Sequence, residues 1–304
     1  MTSPSLRPQQ RLLVTGGRGR LAALIADHFR TPRFKVELYS RHGGDGFHPL
    51  NDLLEPSQAT AGDVILHLAW STLPATSQQH PGSEEQYDLP LLKRLLATFG
   101  QRPAGEQPHF MFFSSGGAVY GNAPGRPSRE DDPCHPLGHY GRAKLAAEAL
   151  ITQGASQHGL PATILRISNP YGYPVPPGRA QGIISHAIRA AAEGRTLPLW
   201  GDGSARKDFI YYTDFLSALD EVIGRRLTGT YNLAAGESHS ISDILSMVEH
   251  HTETKLSRHA GPAPDWDVKD SRIANDRLVA ATGWAPQVAI NEGIRRSAAG
   301  FLNH

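Results

Sequence analysis

Leu12-Leu13-Val14 runs directly into Thr15-Gly16-Gly17-Arg18-Gly19-Arg20-Leu21-Ala22, and residues 19–30 have helical spacing. A buried strand that turns through glycines into a helix commits this end of the chain to a strand-to-helix unit with a particular loop. Gly16 allows the tight turn, and Gly19 lets the backbone approach a pyrophosphate at the helix N-terminus. Ala22 fills the third position, where a small residue packs helix on strand. The alternation continues. Phe34 to Tyr39 alternates as a second strand, and Val64-Ile65-Leu66-His67-Leu68-Ala69 is a buried strand. Glu84 to Gly100 is helical, Phe110-Met111-Phe112-Phe113 is another buried strand, Tyr140 to His158 is an Ala-rich helix, and Ala162 to Ile167 is a strand. Such a rhythm implies parallel strands with helices on both faces.

The expected fold is therefore α/β. A Rossmann-type doubly wound parallel sheet spans 11–170, and a smaller mixed α/β C-terminal substrate lobe spans 171–304, with part of the chain returning to the sheet. Residues 1–10 are polar and contain proline, and read as a flexible leader without the apolar core of a signal peptide. Residues 171–182 are Pro- and Gly-rich and read as a loop. The loop and helix start, Gly16, Arg18, Gly19, Arg20 and Leu21, are expected to hold a dinucleotide. Its type is read at the end of the second strand, where NAD-binding sheets usually carry Asp or Glu for the ribose 2′-hydroxyl. Tyr39-Ser40-Arg41 carries none, and Arg41 and Arg18 can pair with a 2′-phosphate. The expected cofactor is NAD(P), with NADP(H) preferred.

Tyr140-Gly141-Arg142-Ala143-Lys144 places a tyrosine and a lysine on one helical face. Tyrosine ordinarily ionises near pH 10, and a neighbouring ammonium favours the phenolate. Tyr140 can then take a proton from a sugar hydroxyl while hydride leaves for a nicotinamide, with Lys144 supplying the charge and holding the nicotinamide ribose, so that both residues also border the cofactor. Ser114-Ser115, at the end of a buried strand, offers a hydroxyl for the same oxygen.

With these residues in place, the chain resembles the extended short-chain dehydrogenase/reductases, in particular the NAD(P)-dependent nucleotide-sugar epimerase/dehydratase family. The resemblance covers nearly the whole chain. Asp63-Val64-Ile65-Leu66-His67-Leu68-Ala69 resembles the family's fourth-strand motif, which adds Leu68 and Ala69 to the cofactor site. Ser114-Ser115-Gly116-Gly117-Ala118-Val119-Tyr120-Gly121 resembles its serine motif. Arg166-Ile167-Ser168-Asn169-Pro170-Tyr171-Gly172 resembles the segment whose asparagine touches the substrate diphosphate and whose proline lies near the nicotinamide. Gly201-Asp202-Gly203-Ser204-Ala205-Arg206-Lys207-Asp208-Phe209-Ile210-Tyr211, Tyr231-Asn232-Leu233-Ala234-Ala235-Gly236 and Gly283-Trp284-Ala285-Pro286 are similar to its later signatures.

The departures carry information. The position that often bears the catalytic Ser or Thr holds Gly116, so the resemblance assigns the hydroxyl to Ser115, with Ser114 as the fallback and a cofactor contact. Gly117 and Ala118 stand where dehydratases carry Asp-Glu, and decarboxylases also place a glutamate before Val-Tyr-Gly; both activities lose their carboxylates here. Lys207 replaces the family's diphosphate-binding arginine, keeping the charge without the bidentate fork. Arg206 is the expected compensating cation; the arginine that the family usually carries shortly before Asp267-Val268 is also absent, and Arg272 is the candidate to substitute for it. Asp202 and Asp208 are expected as turn and strand-end residues.

The implied catalytic set is Ser115, Tyr140 and Lys144, and the implied substrate set is Ser115, Asn169, Arg206, Lys207 and Arg272. The leading expectation is a nucleotide-diphosphate-sugar 4-epimerase acting on a UDP-hexose. The alternatives are an NADPH-dependent reductase of a nucleotide-linked 4-keto-6-deoxy sugar and, from another class, a non-catalytic NADP(H)-sensing protein. A net charge of +1 over 304 residues gives no field for nucleic acid or an anionic membrane. A single cysteine, Cys134, fits a reducing cytoplasm. The histidines are scattered without a ligand motif, so no metal is expected. A homodimer through helices near 84–100 and 140–158 is a further implication of the resemblance, with Leu89, Leu92 and Leu96 taken first as core.

Overall fold

The computed structural model describes residues 9–173 and 182–302. Most of the expected leader and most of the 171–182 loop lie outside the described residues. In chain order the strands are β1 (Gln10–Thr15), β2 (Phe34–Ser40), β3 (His48–Pro49), β4 (Val64–His67), β5 (His109–Ser115), β6 (Ala162–Ile167), β7 (Asn169–Tyr171), β8 (Leu197–Trp200), β9 (Arg206–Tyr211), β10 (Gly229–Leu233), β11 (Ser238–Ser240), β12 (Arg258–Gly261) and β13 (Asp270–Ser271). The α-helices are α1 (Arg20–Phe29), α2 (Pro74–Gln79), α3 (Leu89–Gly100), α4 (Gly116–Val119), α5 (His139–His158), α6 (Ile183–Glu193), α7 (Tyr212–Arg225), α8 (Ile241–Thr252), α9 (Asp276–Thr282) and α10 (Ile290–Leu302).

A seven-stranded sheet has the order β10-β6-β5-β4-β1-β2-β3. The pairings of β1 with β2 and β4, of β2 with β3 and of β4 with β5 are parallel, with β4 and β5 the near-continuous apolar runs of strands covered on both faces. Strand order reverses at β1 and β4, and ligands of such sheets bind at the carboxyl ends of strands at that switch point. The loops after β1 and β4 both begin there. Smaller sheets pair β9 antiparallel with β11 and parallel with β13 and β7, and pair β8 with β12.

The chain divides into two interleaved compact units. One comprises Met1–Phe113, Ala146–Ile164 and Arg226–Gly229; the other comprises Ser114–Leu145, Leu165–Arg225 and Thr230–His304. The first unit's core sets Leu13, Ile65, Phe110 and Phe112 of the sheet against Leu92, Leu96 and Phe99 of α3 and Ile151 of α5. The second unit's core joins Ile184 and Ile188 of α6, Ile244 and Val248 of α8, Ile294 of α10, and Phe209 and Tyr211 of β9. Helix α8 opens on a capping box, with Asp243 N–H donating to Ser240 Oγ at 3.0 Å and Ser240 N–H to Asp243 Oδ2 at 3.1 Å.

β4 stops at His67, two residues short of the strand read over 64–69, and one helix also departs from expectation. The helix read over 84–100 begins as a π-turn, Glu84–Asp88, and becomes α-helical only from Leu89. Pro90 has no N–H for the carbonyl four residues back, and Leu89 N–H closes instead on the Glu84 carbonyl. The turn buries Glu84 and Asp88. Asp88 accepts from Ser71 N–H at 2.9 Å and Ser71 Oγ at 2.6 Å, and Glu84 accepts from Thr72 Oγ1, so both carboxylates fasten the segment after β4.

Candidate active site

In the first unit, the loop after β1 is shaped by close backbone approach. Thr15 Oγ1 accepts from Ala69 N–H at 3.1 Å and lies 2.8 Å from His67 Nδ1, which ties the ends of β1 and β4 together. Gly16 has φ +71°, and a Cβ there would stand 2.9 Å from Ala69 N. Gly17 N–H donates to the Tyr39 carbonyl at 2.8 Å, and Gly19 N–H to the Gly16 carbonyl at 2.7 Å. Gly19 is also the N-cap of α1, with no side-chain cap and no acidic residue in the first turn. The helix therefore presents an uncapped positive end beside the loop. Leu21, Leu68 and Ala69 are half-buried around it.

Two buried polar atoms here lack hydrogen-bond partners: Ser40 Oγ and one guanidinium nitrogen of Arg20. A dinucleotide fits this donor set, since the glycine cradle is one a Cβ would fill and the orphaned groups are hydroxyl and guanidinium donors. Arg41 is exposed at the end of β2. Arg18 already has partners. Its guanidinium lies 4.5 Å from the Phe47 ring centre, donates to the Gly43 carbonyl at 3.0 Å and sits 3.7 Å from Asp45.

In the second unit, β5 ends in buried Ser114 and half-buried Ser115, and Ser115 is the N-cap of α4. A Cβ on Gly116 would lie 2.8 Å from Ile273 Cδ1 and 3.1 Å from the Arg166 carbonyl oxygen. The position that often carries the family's hydroxyl is thus packed shut, and Ser115 is the adjacent hydroxyl. The Cβ position of Gly117 stands 3.9 Å from Asn169 Nδ2, so Asn169 borders the same turn.

Helix α5 meets this turn through Gly141. A Cβ there would stand 2.6 Å from the Ala118 carbonyl oxygen and 2.9 Å from Pro136 Cβ. The glycine immediately after Tyr140 is therefore what lets the helix lie against the serine turn. Tyr140 is half-buried and Lys144 is buried, with its ammonium 5.7 Å from the centre of the Tyr140 ring. Ser115 thus caps α4, Gly141 beside Tyr140 packs on Ala118 of that turn, and Asn169 borders it at Gly117.

Asn169 Nδ2 donates to the Asp208 carbonyl at 2.7 Å, and Pro170 pairs in register with Ile210 on β9. Asp208 is fully buried, and its carboxylate accepts from Ala235 and Gly236 N–H at 3.0 and 2.9 Å. Burial pushes its carboxyl up to about 7. Asp202 closes the turn before β9 by accepting from Ser204 N–H at 2.9 Å.

The expected substrate cations are dispersed. Lys207 Nζ donates to Asp267 Oδ1 at 2.9 Å and to the Val268 carbonyl. Adjacent strand residues project to opposite faces, so Arg206 does not share the face of Lys207; it is exposed and bonds the Ser238 carbonyl. Arg272 forms a fork on Asp270, with three N–H···O contacts of 2.7 to 3.0 Å. Other features carried no sequence signal. Nothing in the sequence marks the close approach at Gly141, and His239 is opposite Lys207 only through strand register. Trp200 is 49% exposed and packs edge-to-face on Trp266 at 5.1 Å, beside the turn that leads into β9.

A model of the NAD dependent epimerase/dehydratase family matches residues 12–234. The chain belongs to this family. It is accordingly a nicotinamide-dependent enzyme of the extended short-chain dehydrogenase/reductase group. Among curated relatives, a UDP-glucose 4-epimerase of Mycolicibacterium smegmatis is 26% identical, covering 96% of this chain and 99% of the relative. A GDP-6-deoxy-D-mannose reductase of Pseudomonas aeruginosa is 28% identical, covering 94% of this chain and 95% of the relative. The solved UDP-glucose 4-epimerase of Thermus thermophilus, in complex with NAD, superposes with a TM-score of 0.84 at 24% identity, covering 96% of this chain and 99% of that one. That likeness gives the fold. No described helix is long and apolar enough to cross a membrane.

Proposed function

We propose that this enzyme is a nucleotide-sugar 4-epimerase acting on a UDP-hexose through a transient 4-keto sugar. The observation that carries the reading is the close contact of Gly141 with Ala118, which sets Tyr140 and Lys144 beside the Ser115 turn, a turn lacking carboxylates at Gly117 and Ala118. Tyr140 takes the proton of the sugar's 4-hydroxyl and later returns it, Lys144 holds the phenolate by its charge, and Ser115 donates a hydrogen bond to the reacting oxygen. The nicotinamide, when bound, supplies reversible hydride acceptance. The 4-keto sugar turns over in the pocket and hydride returns to the opposite face of C4, so the centre inverts, the end state is redox-neutral and no external reductant is needed.

Gly16, Gly19 and the N-terminus of α1 hold the pyrophosphate in this reading, and Ser40 and Arg41 meet the adenosine ribose. With Arg18 engaged by Asp45 and Phe47, support for NADP(H) rests on Arg41, whereas the Thermus thermophilus relative is described with NAD. Parallel titration of the two reduced dinucleotides decides the choice. Asn169 and Lys207 bind the diphosphate, and Trp200 offers an aromatic face for the base. The proposed setting is cytoplasmic, consistent with one free cysteine. The proposed homodimer would use exposed residues of α3 and α5, because Leu92 and Leu96 are buried in the first unit's core; light scattering tests it.

NMR of UDP- and GDP-sugars incubated with the protein and catalytic NAD or NADP, without reductant, tests the activity. Appearance of a C4 epimer supports the proposal. No conversion, followed by NADPH oxidation when 4-keto sugars are supplied, replaces it with the reductase reading, to which the Pseudomonas aeruginosa relative lends support.

A further inference from the structure

We propose that His239 is a diphosphate-binding residue of the substrate site; the inference rests on the nucleotide-sugar reading above. Strand β11 runs antiparallel to β9 with His239 directly opposite Lys207. Directly opposed residues of an antiparallel pair project from the same face, with Cβ atoms about 4.5–5.5 Å apart. His239 therefore shares the face of the cation expected on the diphosphate.

That cation alone is a weak clamp. A lysine presents a point charge with three donors, not the arginine fork that grips two phosphate oxygens. Two of the donors of Lys207 are already directed at Asp267 Oδ1, at 2.9 Å, and at the Val268 carbonyl. Arg206 cannot make up the difference from the opposite face of β9, where it bonds the Ser238 carbonyl.

His239 has the missing donor. Its side chain is 23% exposed, yet Nε2 is shielded from solvent and has no hydrogen-bond partner. A shielded ring nitrogen without a partner is costly unless a ligand supplies one. The charged groups around it are Lys207 and Arg206 on β9, Glu237 just before its own strand with Oε2 at 3.7 Å, Asp243 at the start of α8, and Asp267 beside Lys207. None of them is an acceptor within hydrogen-bond distance of Nε2. A diphosphate oxygen lying over this face would accept from Lys207 and from His239 together, so the pair replaces the bidentate grip that arginine provides elsewhere in the family.

The test is calorimetric titration of the full chain with UDP, UMP and uridine, and with GDP and GMP in parallel. His239→Ala should weaken the tighter nucleoside diphosphate by about tenfold or more while leaving uridine unchanged. His239→Gln, which keeps an N–H donor, should recover part of the loss and also serves if the alanine variant folds poorly. Equal weakening of diphosphate and nucleoside would make His239 a structural residue and overturn the proposal. So would an unchanged diphosphate affinity. Wild-type protein with no affinity for either nucleoside diphosphate overturns the nucleotide-sugar reading itself, and does so before any variant is compared.

Discussion

Gly141→Ala separates catalytic geometry from stability. The added Cβ would stand 2.6 Å from the Ala118 carbonyl oxygen, 3.1 Å from its carbon and 2.9 Å from Pro136 Cβ. A relaxed carbon–oxygen contact needs about 3.3 Å, so α5 and the serine turn must part by roughly 0.7 Å. The obstacle is a backbone carbonyl, which cannot swing aside like a long side chain. Two stability terms oppose each other. Alanine favours the helix by about 1 kcal/mol over glycine, while overpacking costs about 1–3 kcal/mol. The net loss is about 0–2 kcal/mol, which lowers Tm by at most several degrees. Catalysis is far more sensitive, because a misplacement of about 1 Å costs on the order of a hundredfold. The expected result is a loss of about ten- to a hundredfold in kcat at saturating cofactor, with unchanged dinucleotide affinity and a modest fall in Tm. Turnover would be followed by NMR on the converted sugar and Tm by fluorimetry. A folded variant with wild-type kcat would refute the idea that this contact sets the site, and a collapse of Tm by tens of degrees would mean that the clash is spread through the whole fold.

Tyr140→Phe should abolish most turnover while binding dinucleotide normally, and Ser115→Ala should damage kcat more than Ser114→Ala; the reverse ranking moves the hydroxyl by one residue. Gly16→Ala should weaken dinucleotide binding at least about tenfold, since its φ of +71° is left-handed and its Cβ would press on Ala69 N at 2.9 Å; fluorescence titration with reduced dinucleotide reads this, and unchanged affinity removes the loop from the site. His109 is fully buried, with Nε2 2.7 Å from Thr163 Oγ1, and burial holds its imidazole down at about 4. The unfolded chain therefore takes this proton first, so His109 makes stability fall as pH drops from about 6.5 to about 4, by roughly 3 kcal/mol in all. Asp208 acts in the opposite sense, because its raised carboxyl is protonated first in the folded state and its contribution is lost as pH rises through about 7. The two partly cancel in the wild type, so urea melts of wild type against His109→Gln at pH 7 and pH 5 isolate the histidine; parallel curves would rule out its buried neutral state.

What could be read from the chain is what lies within a few residues of itself. The glycine loop, the paired faces of Tyr140 and Lys144 and the strand Ala162–Ile167 are local patterns, and the fold follows from them. Partners chosen across elements are not local. Arg18 reads as a free cation for a 2′-phosphate, but the turn over 43–46, with four successive positive φ values, folds back and gives it Phe47, the Gly43 carbonyl and Asp45. Pro90 is visible in the sequence, yet its consequence, a π-turn that buries two carboxylates against the segment after β4, depends on which carbonyl the preceding N–H then finds. His239 acquires its neighbour Lys207 from antiparallel register alone.

The serine motif shows how such a gap can mislead. Gly116 reads as a missing catalytic hydroxyl, and nothing in the sequence marks Gly141. In three dimensions both border the same four-residue turn. Gly116 faces Ile273 and the Arg166 carbonyl, and Gly141 faces the carbonyl of Ala118. A side chain at Gly141 would push the Tyr140 helix off the serine turn, and one at Gly116 would push that turn off Ile273 and the Arg166 carbonyl. The absent serine is therefore a packing requirement, and the hydroxyl that remains is the one just before the turn, at the N-cap of α4.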